Sequence, residues 1–277
     1  MTDTLATGRE LLLGDEALAL GAIHAGITGA YAYPGTPSTE ILEYIIGQED
    51  PTISARWGVN EKTAYEEALG TSYAGRRALV SMKHVGLNVA ADPFMNSAVT
   101  GVNGGLVVIV ADDPGMHSSQ NEQDSRYFAS FAQIPCLEPA DQQQAYDMVR
   151  EAFDLSEALS VPVMVRIVTR LAHSRAAVTT REPRAQNPLD ASSGTNWVLL
   201  PVNARREYAK LTGKQPKIVS AVHDLKTMRR TGAAKGGTGL IATGIAGNYV
   251  RECFSGSEGA GDELPPTLFV TGYPISE

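Results

Sequence analysis

Cysteine is scarce: Cys136 and Cys253 are the only two in 277 residues, and they stand far apart. Two thiols fall short of the roughly four thiolates an iron–sulfur cluster takes, and they cannot build a Cys-rich structural zinc site. Any such centre has to sit on other sequence or another chain. Long apolar runs are also missing: nothing approaches the ~18 residues of a spanning helix, and "MTDTLATGRE" lacks the basic-then-apolar layout of a secretory signal. A soluble chain in a reducing, cytoplasmic compartment is the expectation. There is no excess of positive charge, because 31 acidic residues outweigh 23 basic ones and the formal net charge is −8. Nothing draws the chain as a whole to nucleic acid or anionic lipid. Nucleophile and phosphate motifs are absent as well, with no G-x-S-x-G, no G-x-x-x-x-G-K-[ST] and no H-E-x-x-H. "AKGGTGL" and "TGIAGNY" do not place G-x-G-x-x-G after a strand, which discards a nicotinamide dinucleotide enzyme.

What is present is an alternation. From Ile27 to Thr169 short β-rich runs ("ITGAYAY", "TISARWG", "ALVSMK", "LVVIVAD", "IPCLEP", "VPVMVRIV") alternate with amphipathic runs near 14–25, 37–47, 60–74, 87–101, 120–132 and 141–159. That order predicts an α/β fold, a mostly parallel sheet with helices on both faces. In the last helix Ala145, Met148, Val149, Ala152, Phe153 and Leu159 make one apolar stripe, with Asp141 as N-cap. Residues 1–175 read as the first domain. Residues 176–236 read as a linker, opening on the turn-rich "TTREPRAQNPLDASSGTN". Its stretch 202–235 holds nine Lys or Arg against two acids, either a solvated helical face or a patch for an anionic cofactor or acidic partner. Residues 237–277 read as the beginning of a second α/β domain, because two strands and one helix cannot bury a core. The chain is expected to be cut inside that domain or completed by a partner.

In open parallel sheets ligands lie beyond the carboxyl ends of strands, so the loops there carry the candidate sites. "YPGTPSTE", Tyr33 to Glu40, supplies a Pro-Gly turn, hydroxyls and a helix start, suited to a carboxylate or phosphate but also an ordinary turn and N-cap. "SMKHVGLNVAADP" places Lys83, His84 and Gly86 at a strand end and Asn88 just inside a helix; the glycine permits close approach of a ligand or simply a sharp turn. "ADDPGMHSSQNEQDSRYFASF" gathers His117 and seven other polar residues after a buried run, with no metal-ligand spacing, and a lone histidine there is either catalytic or structural. Glu61 opens an apolar helix in "NEKTAYEEALGTSYAG", where a carboxylate either answers the helix dipole or is a placed acid.

Four stretches in order, "YPGTPSTEI", "NEKTAYEEALGTSYAGRRALVSMKHVGLNVAADP", "VADDPGMHSSQNEQDSR" and "EAFDLSEALSVPVMVR", resemble the alpha subunits of indolepyruvate:ferredoxin oxidoreductases, thiamine diphosphate-dependent 2-oxoacid:ferredoxin oxidoreductases. The resemblance is dense over residues 10–175 and thinner from Gly237. It implies a thiamine-diphosphate-binding fold whose first domain takes the aminopyrimidine, followed by the start of a transketolase C-terminal-like domain. It also implies oxidative decarboxylation of an aryl 2-oxoacid such as indolepyruvate to the acyl-CoA, with electrons passed to ferredoxin. Glu61 matches the glutamate that contacts the pyrimidine and favours its imino form, so Glu61 and His117 are the catalytic candidates. Thr36, Lys83 and His84 are the candidates for the substrate, and Tyr33, Pro34, Gly35 and Asn88 join Glu61 for the cofactor. The family's GDG metal motif is reduced here to "GDE" at Gly14 and Gly261, so no metal ligand is assigned. Mg²⁺ and the diphosphate are expected on a diphosphate-binding domain or chain, iron–sulfur clusters on further sequence or a beta-type subunit, and coenzyme A as co-substrate. A hetero- or homo-oligomer follows. A non-oxidative thiamine-dependent 2-oxoacid decarboxylase and a non-catalytic assembly module are the alternatives.

Overall fold

The computed structural model describes residues 6–190, 197–231, 238–255 and 264–275. Its elements run β1 (Ala6–Leu13), α1 (Gly14–His24), β2 (Gly29–Ala32), α2 (Thr39–Gly47), β3 (Ser54–Trp57), α3 (Glu61–Tyr73), β4 (Ala78–Lys83), α4 (His84–Val89), α5 (Ala91–Thr100) and β5 (Leu106–Asp112). They continue α6 (Arg126–Ala132), β6 (Cys136–Leu137), α7 (Gln142–Leu159), β7 (Val163–Val168), α8 (Thr169–Ala172), β8 (Arg175–Arg181), α9 (Pro201–Gly213) and α10 (Gln215–Asp224). The last are β9 (Met228–Thr231), β10 (Leu240–Thr243), α11 (Ala246–Ser255), β11 (Thr267–Val270) and β12 (Gly272–Tyr273).

Seven strands form the main sheet in the order β12-β6-β7-β5-β4-β2-β3, parallel throughout except for β12 against β6. Every residue of β5 and β7 is buried, as continuous apolar strands covered on both faces must be. Helix α7 buries the stripe its periodicity predicts, and Asp141 caps it by accepting from the Gln144 N–H at 2.8 Å. Two expected helices are shorter or broken. The run 87–101 divides into α4 and α5 at Ala90, and only 126–132 of the run 120–132 is helical.

Three strands, β1, β8 and β9, have no counterpart among the expected ones. β1 pairs antiparallel with β8 as a separate two-stranded ribbon, Leu13 opposite Arg175, outside the main sheet. The segment after β8 adheres to the first domain through Arg184 N–H to His24 O (2.9 Å) and Asp190 N–H to Ala74 O (2.9 Å). The basic stretch then folds as α9 and α10. Lys214 donates to Leu159 O at 2.8 Å and Lys217 to Ala158 O at 3.1 Å, so these two cations satisfy the orphan carbonyls at the C-terminus of α7. A three-stranded sheet, β10-β11-β9, follows with α11 beside it, and the chain returns to the main sheet as β12.

Candidate active site

The sheet order sets where a ligand fits. From β2 the chain moves outward to β3, whereas from β4 it moves the other way to β5, so the connections diverge beyond the carboxyl ends of β2 and β4. A crevice opens at such a switch point. The loops that reach it from β2, β3 and β4 bring Tyr33–Thr36, Glu61 and Lys83–Gly86 to the same end of the sheet.

Glu61 is the first residue of α3, but it does not cap the helix. Asn60 does so, its Oδ1 accepting from the Thr63 N–H at 2.9 Å while its own N–H donates to Thr63 Oγ1 at 3.3 Å. The Glu61 carboxylate instead lies against the first turn of α4, so close that a Cβ added to Gly86 would sit 2.5 Å from Oε1. No hydrogen bond or ion pair engages that carboxylate among the described residues. Around it Val59 and Val89 are exposed, as is Asn88. A half-buried acceptor without a protein partner, on a face left open and partly apolar, is what a flat, polar-edged heterocycle would cover.

The β2–α2 turn spends two of its three hydroxyls on itself. Ser38 Oγ donates to Gly35 O at 2.9 Å, and Gly35 N–H donates to Thr39 Oγ1 at 2.9 Å. Thr36, exposed and preceding a cis peptide bond to Pro37, keeps its hydroxyl unpartnered among the described residues. Tyr33 and Pro34 are exposed beside it, and the stem of Lys83 runs across Gly35.

Lys83 and His84 face the loop after β5. Lys83 donates to Ser118 O at 3.2 Å, and His84, 1% exposed, reaches Asn121 O through Nε2 at 3.0 Å. A carbonyl partner requires the Nε2–H tautomer, which leaves Nδ1 as a buried acceptor with no donor. At the root of that loop Asp113 accepts from the Ser118 N–H (2.8 Å), Ser119 Oγ (2.8 Å) and Thr169 Oγ1 (2.8 Å). Burial pushes its carboxyl up, but these hydrogen bonds together hold it well below the usual carboxylate range. His117 is exposed and lines a neighbouring cleft of about 660 Å³ together with Glu138, Arg166, Thr169, Thr243 and Tyr249. The structure thus gathers Thr36, Glu61, Lys83, His84 and Gly86 around the crevice and sets His117 beside that second cleft.

The floor of the second cleft is a charge network that sequence reasoning missed. Arg166 donates to Asp112 Oδ2 at 2.7 Å and also to Glu138, while Arg126 pairs with Asp124 at 2.6 Å and with Glu138 at 3.3 Å. Tyr273 donates to Glu138 Oε2 at 2.9 Å and Thr243 accepts from Arg126 at 3.2 Å, so the network ties the main sheet to the smaller one. Burial, then the Glu138 charge, pushes the Tyr273 hydroxyl up to about 12. The available signal was Arg166 itself, an arginine inside the apolar run "VPVMVRIV", which has to find a buried carboxylate.

Residues 20–212 match the family model described as "Pyruvate flavodoxin/ferredoxin oxidoreductase, thiamine diP-bdg". The chain is 39% identical over 280 residues to the indolepyruvate oxidoreductase subunit IorA of Archaeoglobus fulgidus, covering 96% of this chain and 43% of that protein. It is 41% identical over 284 residues to IorA of Methanothermobacter marburgensis, covering 99% and 45%. The 2-oxoglutarate synthase subunit KorA of Methanothermobacter thermautotrophicus is 28% identical over 185 residues, covering 62% of this chain and 48% of that one. The chain therefore spans less than half the length of these curated relatives. Among solved structures, a 2-oxoglutarate:ferredoxin oxidoreductase from Magnetococcus marinus with 2-oxoglutarate, coenzyme A and succinyl-CoA bound superposes with a TM-score of 0.76 at 20% identity. The match covers 95% of this chain and 54% of that one, and establishes a shared fold.

Proposed function

Because the chain belongs to the pyruvate flavodoxin/ferredoxin oxidoreductase family, in its thiamine diphosphate-binding part, we propose that it supplies the pyrimidine-facing half of the active site of an indolepyruvate-type 2-oxoacid:ferredoxin oxidoreductase. The reaction is the oxidative decarboxylation of an aryl 2-oxoacid to its acyl-CoA, with the electrons passed to ferredoxin. The observation that carries this reading is the Glu61 carboxylate, presented at the switch-point crevice with no partner among the described residues while Asn60 does the capping.

When bound, thiamine diphosphate supplies the electron sink for decarboxylation. The chain's own residues fit its aminopyrimidine. Glu61 would accept a hydrogen bond from a ring N–H and hold that proton in place, and Tyr33, Pro34, Gly35 and Asn88 would line the ring's site. The Thr36 hydroxyl donates to the substrate carboxylate. Lys83 and His84 border the substrate pocket and act by fixing the loop that carries His117. Mg²⁺ and the diphosphate belong to a second domain or chain, iron–sulfur clusters to further sequence or a partner subunit. No helix among the described residues is long and apolar enough to cross a membrane.

The test is 2-oxoacid-dependent reduction of ferredoxin by the full assembly in the presence of coenzyme A. Indolepyruvate should yield one acyl-CoA and one carbon dioxide for every two electrons delivered to ferredoxin. Aldehyde release without electron transfer would favour the non-oxidative decarboxylase instead. His117→Ala should lower turnover while thiamine affinity stays nearly unchanged, whereas equal loss of both would make the loop structural.

A further inference from the structure

Away from Glu61, three residues from separate elements converge at the start of the first helix. Asp15 sits in the first turn of α1, Glu40 in the first turn of α2, and His173 directly after α8. One ligand atom from each lies within 4.8 Å of the others, and His173 Nε2 is 3.5 Å from Glu40 Oε1. Asp15 is fully buried at 0% exposure, yet neither of its carboxylate oxygens nor Glu40 Oε2 meets a donor among the described residues; burial and the facing Glu40 carboxyl raise the Asp15 carboxyl well above its usual range. Leaving such groups unsatisfied is costly.

No lysine or arginine answers these carboxylates among the described residues. The nearby Arg175 pairs at 3.4 Å with Glu16, whose other oxygen accepts the Leu13 N–H at 2.7 Å. A single proton shared between the two carboxyls would engage two of the three orphan oxygens and leave the third. A divalent cation takes one oxygen from each carboxylate together with the imidazole nitrogen, and balances both negative charges.

We propose that Asp15, Glu40 and His173 form a site for a divalent transition metal of the Zn²⁺ class. One imidazole nitrogen with two carboxylates suits Zn²⁺, Fe²⁺, Mn²⁺ or Co²⁺, whereas Mg²⁺ and Ca²⁺ favour oxygen-only shells. Bonds of about 2.0–2.1 Å in a tetrahedral site place ligand atoms roughly 3.3 Å apart; His173 Nε2 and Glu40 Oε1 stand 3.5 Å apart and all three ligand atoms lie within 4.8 Å, so the set would draw in around an ion. The His173 and Glu40 side chains are each 37% exposed, which leaves the fourth position open to water.

The backbone is built to hold the group. Gly14 donates to Ser174 O at 3.2 Å, and a Cβ at Gly14 would stand 2.1 Å from Leu171 O, so only glycine lets α1 start against the end of α8. That approach sets Asp15 beside His173. The "GDE" that fails as a diphosphate metal motif thus contributes its aspartate to a different cation.

The proposal is independent of the thiamine chemistry and is read by metal content, not activity. The full-length chain in its native assembly is stripped with chelator, re-equilibrated with Zn²⁺ under excess Mg²⁺, desalted and assayed for zinc. The wild type should retain one Zn²⁺ per chain more than Asp15→Asn and His173→Ala, and Zn²⁺ should raise the Tm of the wild type alone. His173 is on the surface, so its variant keeps the comparison available should Asp15→Asn fail to assemble. Equal zinc in the wild type and His173→Ala overturns the proposal. So does an infrared carboxylic-acid band from the Zn²⁺-treated wild type that Asp15→Asn abolishes, because that proton would occupy the place assigned to the metal.

Discussion

The Glu61 carboxylate occupies the space where a side chain on Gly86 would begin, 2.5 Å from the position of its Cβ. The two residues come from helices that follow different strands, so the glycine fixes where the acid stands. In Gly86→Ala the atoms that must yield are the outer ones of Glu61, a flexible side chain, rather than backbone. The helix gains up to about 1 kcal/mol of propensity from the alanine, so the fold should survive. Decarboxylation by the assembled enzyme should nonetheless fall by about tenfold or more, the range expected when a proton-transfer partner is misplaced. Thermal melting alongside steady-state turnover separates the two effects.

Arg166 is 7% exposed and is shared by Asp112 and Glu138, which are also buried. Replacing it with Met keeps much of the volume but leaves buried Asp112 without its cation and Glu138 with Arg126 alone. That should cost about 3–5 kcal/mol of stability, measurable by denaturant unfolding. Because the same network reaches Thr243 and Tyr273, the smaller sheet should lose protection in hydrogen exchange before the core of the main sheet does.

His24 gives a pH signature. Burial, reinforced by the Arg150 charge, lowers its imidazole from 6.5 to about 4. Its Nδ1 lies 2.8 Å from the Tyr146 hydroxyl. The unfolded chain binds the proton more readily between those values, so stability should rise as pH climbs from about 4 to about 6.5 and be lost in the reverse direction. Glu151 works oppositely, its carboxyl raised to about 7 by burial and Asp147, so its contribution fades as pH rises through 7. The difference in melting temperature between wild type and His24→Gln, followed across this range, isolates the histidine.

How far the sequence reveals the molecule depends on the length scale of the force involved. The parallel sheet was legible because β5 and β7 are continuous apolar runs, and α7 because its stripe repeats over eighteen residues. The β1–β8 ribbon was not, since its strands lie about 160 residues apart and "RAAVTTR" sits in what reads as a linker. At the site, loop position placed Thr36, Lys83 and Glu61 at the crevice, since strand ends are local features. What escaped was every interaction between distant side chains. The clasp of His84 on Asn121 O and the meeting of Asp15 with His173 are set by packing, not by neighbours in the chain, whereas the Asn60 cap on Thr63 is a local pattern present in "NEKT".

The central claim is that Glu61 is a placed acid for the cofactor and not a helix-terminal charge. Glu61→Gln preserves shape and leaves the Asn60–Thr63 cap intact, so stability should change by less than about 0.5 kcal/mol. The measurement is the rate of 2-oxoacid decarboxylation by the assembled Glu61→Gln enzyme, with thiamine diphosphate occupancy determined on the same preparation. A fall of roughly 10²-fold or more with cofactor still bound is the expected result. A normal rate at full occupancy would contradict it.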